Sequence, residues 1–162
     1  MHEQDSVGEN VFWTYSLSVY RRKEVAQCCL ALQDDAGVDV NLLLYAGWLA
    51  GQGQRLDSYH LEQVAAAVAD WREQVVKPLR DLRRHLRTIA GAELFWEALK
   101  EQEIGAEQHQ QNTMYACYRA LLALPAGEHC LRENLSMVCR YSNPRAVALP
   151  DSLEGLVLAL DR

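Results

Sequence analysis

Apolar residues recur along this chain at helical spacing, and no segment alternates apolar and polar positions between hairpin turns. Asn10 is placed to cap a first helix that runs to about Arg21 and buries Phe12, Trp13, Leu17 and Tyr20. A second helix is predicted from about Lys23 to Ala36, with Val25, Cys28, Cys29 and Leu32 inward. Gly37 follows as a natural left-handed stop, because it lacks a Cβ that would clash there. Asp39 is the natural N-cap of a third helix, Val40 to Ala50, whose carboxylate can accept from orphan backbone N–H groups. That helix is apolar nearly all round, which places it at the centre of a bundle.

Gly51 to Gln54 reads as a turn, and Asp57 or Ser58 as the cap of a long helix with Leu61, Val64, Ala65, Val68 and Trp71 on one face. Pro78 should kink or restart it, since proline removes one N–H and crowds the preceding turn. The pattern resumes through Leu79, Leu82, Leu86 and Ile89 and breaks at Gly91. A second long segment from about Ala92 to Leu124 carries Leu94, Phe95, Leu99, Ile104, Tyr115, Tyr118, Leu121 and Leu122, with Gly105 weakening its continuity. Pro125-Ala-Gly127 ends it. Helices at about Glu128–Tyr141 and Ser152–Leu160 follow, joined by the turn-rich Ser142-Asn-Pro144. No repeat, low-complexity tract or linker interrupts the chain. The expected fold class is all-α: one helical domain over residues 1–162, a bundle of about six to eight helices around the central apolar helix.

Particular stretches of this pattern resemble a known family. Phe12-Trp13, Ser16-Leu17, Val19-Tyr20, Cys29-Leu30, Leu32-Gln33-Asp34, the block Gly37 to Leu44 and Trp48-Leu49-Ala50 carry the likeness, with Trp71, Val75-Val76, Pro78-Leu-Arg80 and Leu82-Arg-Arg84. The family is a small bacterial one catalogued as a domain of unknown function, and the likeness spans about residues 11 to 110. It implies a compact helical bacterial protein and brings no activity, cofactor or catalytic residue with it.

Composition narrows the function classes. The chain has 162 residues and a net charge of −6, ordinary for a globular domain. Its first residues, Met1 to Ser6, are polar and acidic, unlike a signal peptide, and a cytoplasmic location is expected. The longest apolar run, Val40 to Ala50, falls far short of the ~20 residues a bilayer span needs. Five cysteines, Cys28, Cys29, Cys117, Cys130 and Cys139, include no Cys-x-x-Cys pair and read as free thiols acting as small hydrophobes.

No metal or cofactor is expected. Asp34, Asp35 and Asp39 recur near one another, but Gly37 breaks the helix that would have to present them together to a magnesium ion. Glu103, Glu107 and His109 lack the Glu-x-x-His spacing that puts two ligands on one helix face. His2, His60, His85 and His129 have no metal-ligand spacing, and no nucleophile elbow, P-loop or glycine-rich dinucleotide turn is present. The reading leans against an enzyme.

One charged feature stands out. Lys77, Arg80, Arg84 and Arg87 fall at i, i+3, i+7 and i+10, one helix face, and Arg83 widens the stripe. Five of the 16 basic residues lie here against one of the 22 acids, Asp81. Such a stripe could dock an acidic protein partner, or it could be an internal seam paired with Glu97, Glu101, Glu103 and Glu107. Nucleic acid is disfavoured by the net charge and by the lack of aromatics among the basic residues. Two functions stay open. One is a non-catalytic interaction module, an adaptor or regulator, using the stripe. The other is a small enzyme or ligand-binding protein with a pocket at the polar corner Gln33, Asp34, Asp39 and Asn41. The sequence leaves the oligomeric state open.

Overall fold

The structure, a computed structural model, describes residues 10–162. The polar stretch Met1–Ser6, with His2, lies outside the described residues. The fold is all-α, as the spacing predicts: eight α-helices and a π-helical turn among the described residues. The chain divides into two compact units, residues 10–58 with 123–162, and residues 59–122.

The first unit holds α1 (Val11–Tyr20), α2 (Lys23–Ala36), α3 (Val40–Gly51), α7 (Leu131–Ser142) and α8 (Ser152–Leu160). α1 starts where Asn10 Oδ1 accepts from Trp13 N at 2.6 Å. α2 ends at Gly37, with φ +65°, whose N–H donates to Gln33 O. α3 starts at Asp39, whose buried carboxylate accepts from Asn41 N at 2.9 Å. Every residue from Asn41 to Leu49 is buried, so α3 is the core helix of this unit, touched by α1, α2 and α7. Phe12 of α1 lies edge-on to Tyr45, with ring centroids 5.3 Å apart, and equally close to Trp48. At Gly47 a Cβ would sit 2.7 Å from Tyr15 Oη and 3.2 Å from Leu160 Cδ1, so the glycine lets α1 and α8 close on α3. α8 also lies against α2: a Cβ at Gly155 would meet Cys28 Sγ at 2.9 Å.

One buried asparagine ties the loop after α3 to α7. Asn134 Oδ1 accepts from Leu56 N at 2.9 Å, and its amide donates to Gln54 O at 3.0 Å and Ala46 O at 3.3 Å. Arg55 N donates to Pro125 O and Gly127 N to Gly53 O, which makes a short antiparallel bridge beside it.

The second unit holds α4 (Ser58–Trp71, from Tyr59 on), the π-helical turn Arg72–Val76, α5 (Lys77–Leu86) and α6 (Glu93–Ala120). Pro78 cannot donate to Gln74, and just before it the register widens: Lys77 N–H reaches back five residues to Arg72 O. The expected kink is thus a π-turn within a continuous helical run. α6 passes through Gly105 unbroken.

Several sequence expectations are corrected. Leu17 and Tyr20 are exposed, and Ser16 and Val19 take the inward places on α1. The face centred on Phe12 runs through residues 16 and 19, and Leu17 and Tyr20 fall to its flank. Cys28 is only half-buried. In α5, Leu86 is buried and Leu79 half-buried, but Leu82 is exposed, as is Ile89 in the turn beyond.

Candidate functional site

The basic stripe does not project to solvent as a unit. Arg80 and Arg83 turn onto α6 and share the inward side of α5 with Leu86. Arg83 Nε donates to Glu103 Oε2, and a second guanidinium nitrogen reaches Glu103 Oε1 at 3.3 Å. Arg80 lies 3.5 Å from both Glu103 Oε1 and Glu107 Oε1. The Glu103 side chain is 8% exposed and that of Arg80 12%, so this is a largely desolvated seam. Lys77 Nζ pairs with Glu73 at 2.7 Å on its own helical run, and this hydrogen bond holds the Glu73 carboxyl below its usual range. Arg87 lies over the Trp96 ring, 4.8 Å from its centroid, and Lys100 lies 5.2 Å from the same ring. Arg84 is exposed. Of the two readings of the stripe, the internal seam describes Arg80 and Arg83. The physical reason is the facing carboxylates: burying Glu103 unpaired would be costly, and two guanidiniums neutralise it.

Satisfying that seam sets the roll of α6. Its inward residues include Glu103, Gln110 and Gln111 beside Leu99, Ala106 and Met114. Leu94 and Phe95 are turned out, 89% and 57% exposed, and Ile104 is exposed too. Trp71 also holds the helix, donating from Nε1 to Ala106 O at 2.9 Å, with its ring tilted against that of His109 at 4.2 Å between centroids. Glu93, Glu97 and Glu101 lie at i, i+4 and i+8 on the outer surface, all exposed, and make no ion pair among the described residues. Leu94 and Ala98 form the adjacent row. Next to this surface, a cavity of about 320 Å³ is lined by Leu86, Arg87, Ile89, Glu93, Trp96 and Glu97. The exposed apolar residues of α6 were read only as part of a helical pattern, and nothing in their own spacing marks them as outward.

The residues of the polar corner lie at the junction of α2 and α3. Asp39 serves as the α3 cap, Asn41 is buried in the first turn of α3, Gln33 is half-buried and Asp34 is exposed. Burial pushes the Cys29 thiol and the Tyr15 phenol each up to about 12. Cys139 in α7 is pushed up to about 11 for the same reason. All five cysteines are free. Among the described residues no three His, Cys, Asp or Glu side chains gather as a metal site. Among the described residues no helix is long and apolar enough to cross a membrane.

No curated protein and no solved structure matches the chain. A family model described as protein of unknown function (DUF2390) matches residues 11–114, from the first residue of α1 well into α6. That span is more than half of the chain and includes the seam, the cavity and the outward face of α6, so the protein belongs to the DUF2390 family.

Proposed function

We propose that the protein is a non-catalytic helical interaction module and binds another protein through the amino-terminal half of α6. The observation that carries this reading is the outward placement of Leu94 and Phe95 on a helix that buries Glu103, Gln110 and Gln111. Large apolar residues exposed close together at one end of a helix and near a cavity are a common mark of a docking surface. Single exposed apolar side chains are ordinary; here two consecutive large ones, Leu94 and Phe95, are exposed at the start of a helix whose Glu93, Trp96 and Glu97 line a cavity together with exposed Ile89. The surface differs from the one the basic stripe suggested, because Arg80 and Arg83 are engaged within the chain. The free cysteines support a cytoplasmic setting.

The test is photo-crosslinking in the cells that make the protein, with a photoreactive residue placed at Leu94 or Phe95 and, as control, at exposed Glu128. A discrete protein adduct from positions 94 and 95 and none from 128 is expected. No adduct from 94 or 95, or the same adducts from all three, would refute the reading.

A further inference from the structure

We infer that the cavity at the α5–α6 turn is a binding site for a free α-amino acid with an apolar side chain. The cavity, about 320 Å³, lies where the end of α5, the turn after it and the start of α6 meet. That volume falls at the lower end of the range for small-molecule sites, ~300–1,000 Å³. Leu86, Ile89 and the Trp96 ring supply apolar wall, and Arg87, Glu93 and Glu97 supply charge of both signs. These three charged side chains make no ion pair among the described residues, with one another or with any other group. Leu94 and Phe95 do not line the cavity, so the inference stands apart from the docking reading.

Arg87 lies over the Trp96 ring, and Lys100 lies on the same ring. A cation–π contact leaves the N–H donors of a guanidinium open to a carboxylate. Glu93 and Glu97 are one turn apart on α6 and face the same side, so both can accept from one ammonium. Simpler ligands meet a charge of their own sign. An anion that reaches Arg87 and Lys100 faces two carboxylates, and an amine that reaches Glu93 and Glu97 faces two cations. A zwitterion satisfies both sets: its carboxylate takes Arg87, its ammonium takes Glu93 and Glu97, and an apolar side chain covers Leu86, Ile89 and Trp96. In an α-amino acid a single carbon separates the two charges, which suits opposite charges that share one cavity without pairing.

The experiment is isothermal titration calorimetry on the full chain with L-leucine and L-phenylalanine as probes. Each probe is compared with its amide, which lacks the carboxylate, with its N-acetyl form, which lacks the ammonium, and with glycine, which lacks the side chain. Wild type should bind at least one probe with Kd of about 1 mM or tighter. The amide, the N-acetyl form and glycine should each bind at least about tenfold more weakly, which for the first two is the loss of one hydrogen bond between charged groups. The R87Q variant should lose about tenfold for the probe and no longer discriminate against the amide. The E93Q/E97Q variant should lose about as much and no longer discriminate against the N-acetyl form. The control E24Q/R145Q, altered at exposed charges elsewhere, should bind as wild type does.

The analogues test the same contacts on the unaltered protein, so the outcome does not hang on the folding of a variant. The inference is overturned if neither probe binds at about 10 mM, far above the expected Kd. It is equally overturned if the amide, the N-acetyl form or glycine binds as tightly as the probe. Wild-type affinity in R87Q or E93Q/E97Q, or an equal loss in the control, also overturns it.

Discussion

Changing Glu103 to Gln removes the charge that two guanidiniums share in the α5–α6 seam. The side chains concerned are 8% exposed for Glu103, 12% for Arg80 and 20% for Arg83. An exposed ion pair contributes about 0.2–1 kcal/mol, and breaking a fully buried one by deleting a partner costs about 3–5 kcal/mol. This seam lies nearer the buried limit, but Arg80 keeps Glu107 at 3.5 Å and the new amide can still accept one hydrogen bond. The expected loss is therefore about 2–3 kcal/mol, or roughly 4–12 °C in Tm at this chain length. The assay is urea unfolding followed by far-ultraviolet circular dichroism. Glu101→Gln is the control: same helix, same change of charge, but an exposed and unpaired position. It should stay within about 0.5 kcal/mol of wild type. The double variant R83M/E103L, which removes both members, should lose much less than Glu103→Gln, because no charge is left buried alone. The reasoning is refuted if Glu103→Gln stays within about 0.5 kcal/mol of wild type, or if Glu101→Gln costs as much.

Three further outcomes follow from the same structure. Asn134→Asp keeps the acceptor for Leu56 N but loses both donors to Ala46 O and Gln54 O and puts a carboxylate against them, and should cost about 3 kcal/mol or more in denaturant unfolding. Gly37→Ala should destabilise by about 1 kcal/mol, because φ is +65°, whereas Gly105→Ala should stabilise by about 0.5–1 kcal/mol, because its Cβ would meet nothing within 4 Å inside a helix. Cys29 and Tyr15 have folded pKa values raised to about 12 from the ordinary 9.0 and 10.0, so their contribution to stability is whole below pH 9 and is lost as pH rises toward 12. Tm measured across pH should be insensitive to these groups below pH 9 and fall above it, and a Cys29→Ala variant should show a shallower fall.

The corner between α2 and α3 was legible because its determinants are local. A glycine that can take positive φ and a carboxylate one residue before the helix act on backbone groups within four residues of themselves. The end of α2 and the start of α3 follow from such signals. The seam was not legible in the same way. On α5 and just beyond it, the apolar row Leu79, Leu82, Leu86, Ile89 and the basic row Lys77, Arg80, Arg84, Arg87 share one spacing, so periodicity alone cannot rank them. The choice is made by Glu103 and Glu107, some 20 residues on, and the widened turn before Pro78 adds a further rotation. The roll of α6 follows from that choice, which is why Leu94 and Phe95 end outside. Asn134 escaped notice for a related reason: it looks like any polar residue on a helix until the carbonyls of Ala46 and Gln54 are brought to it.

The central claim is that the amino-terminal half of α6 turns Leu94 and Phe95 outward while Leu99 and Met114 face the interior. Hydroxyl-radical footprinting read by mass spectrometry measures that directly, because oxidation tracks side-chain exposure. In the free protein Leu94 and Phe95 should be oxidised nearly as fast as in the urea-unfolded chain, while Leu99 and Met114 on the same helix stay protected. Protection of Leu94 and Phe95 in the free protein, with Glu103 accessible instead, would contradict the account.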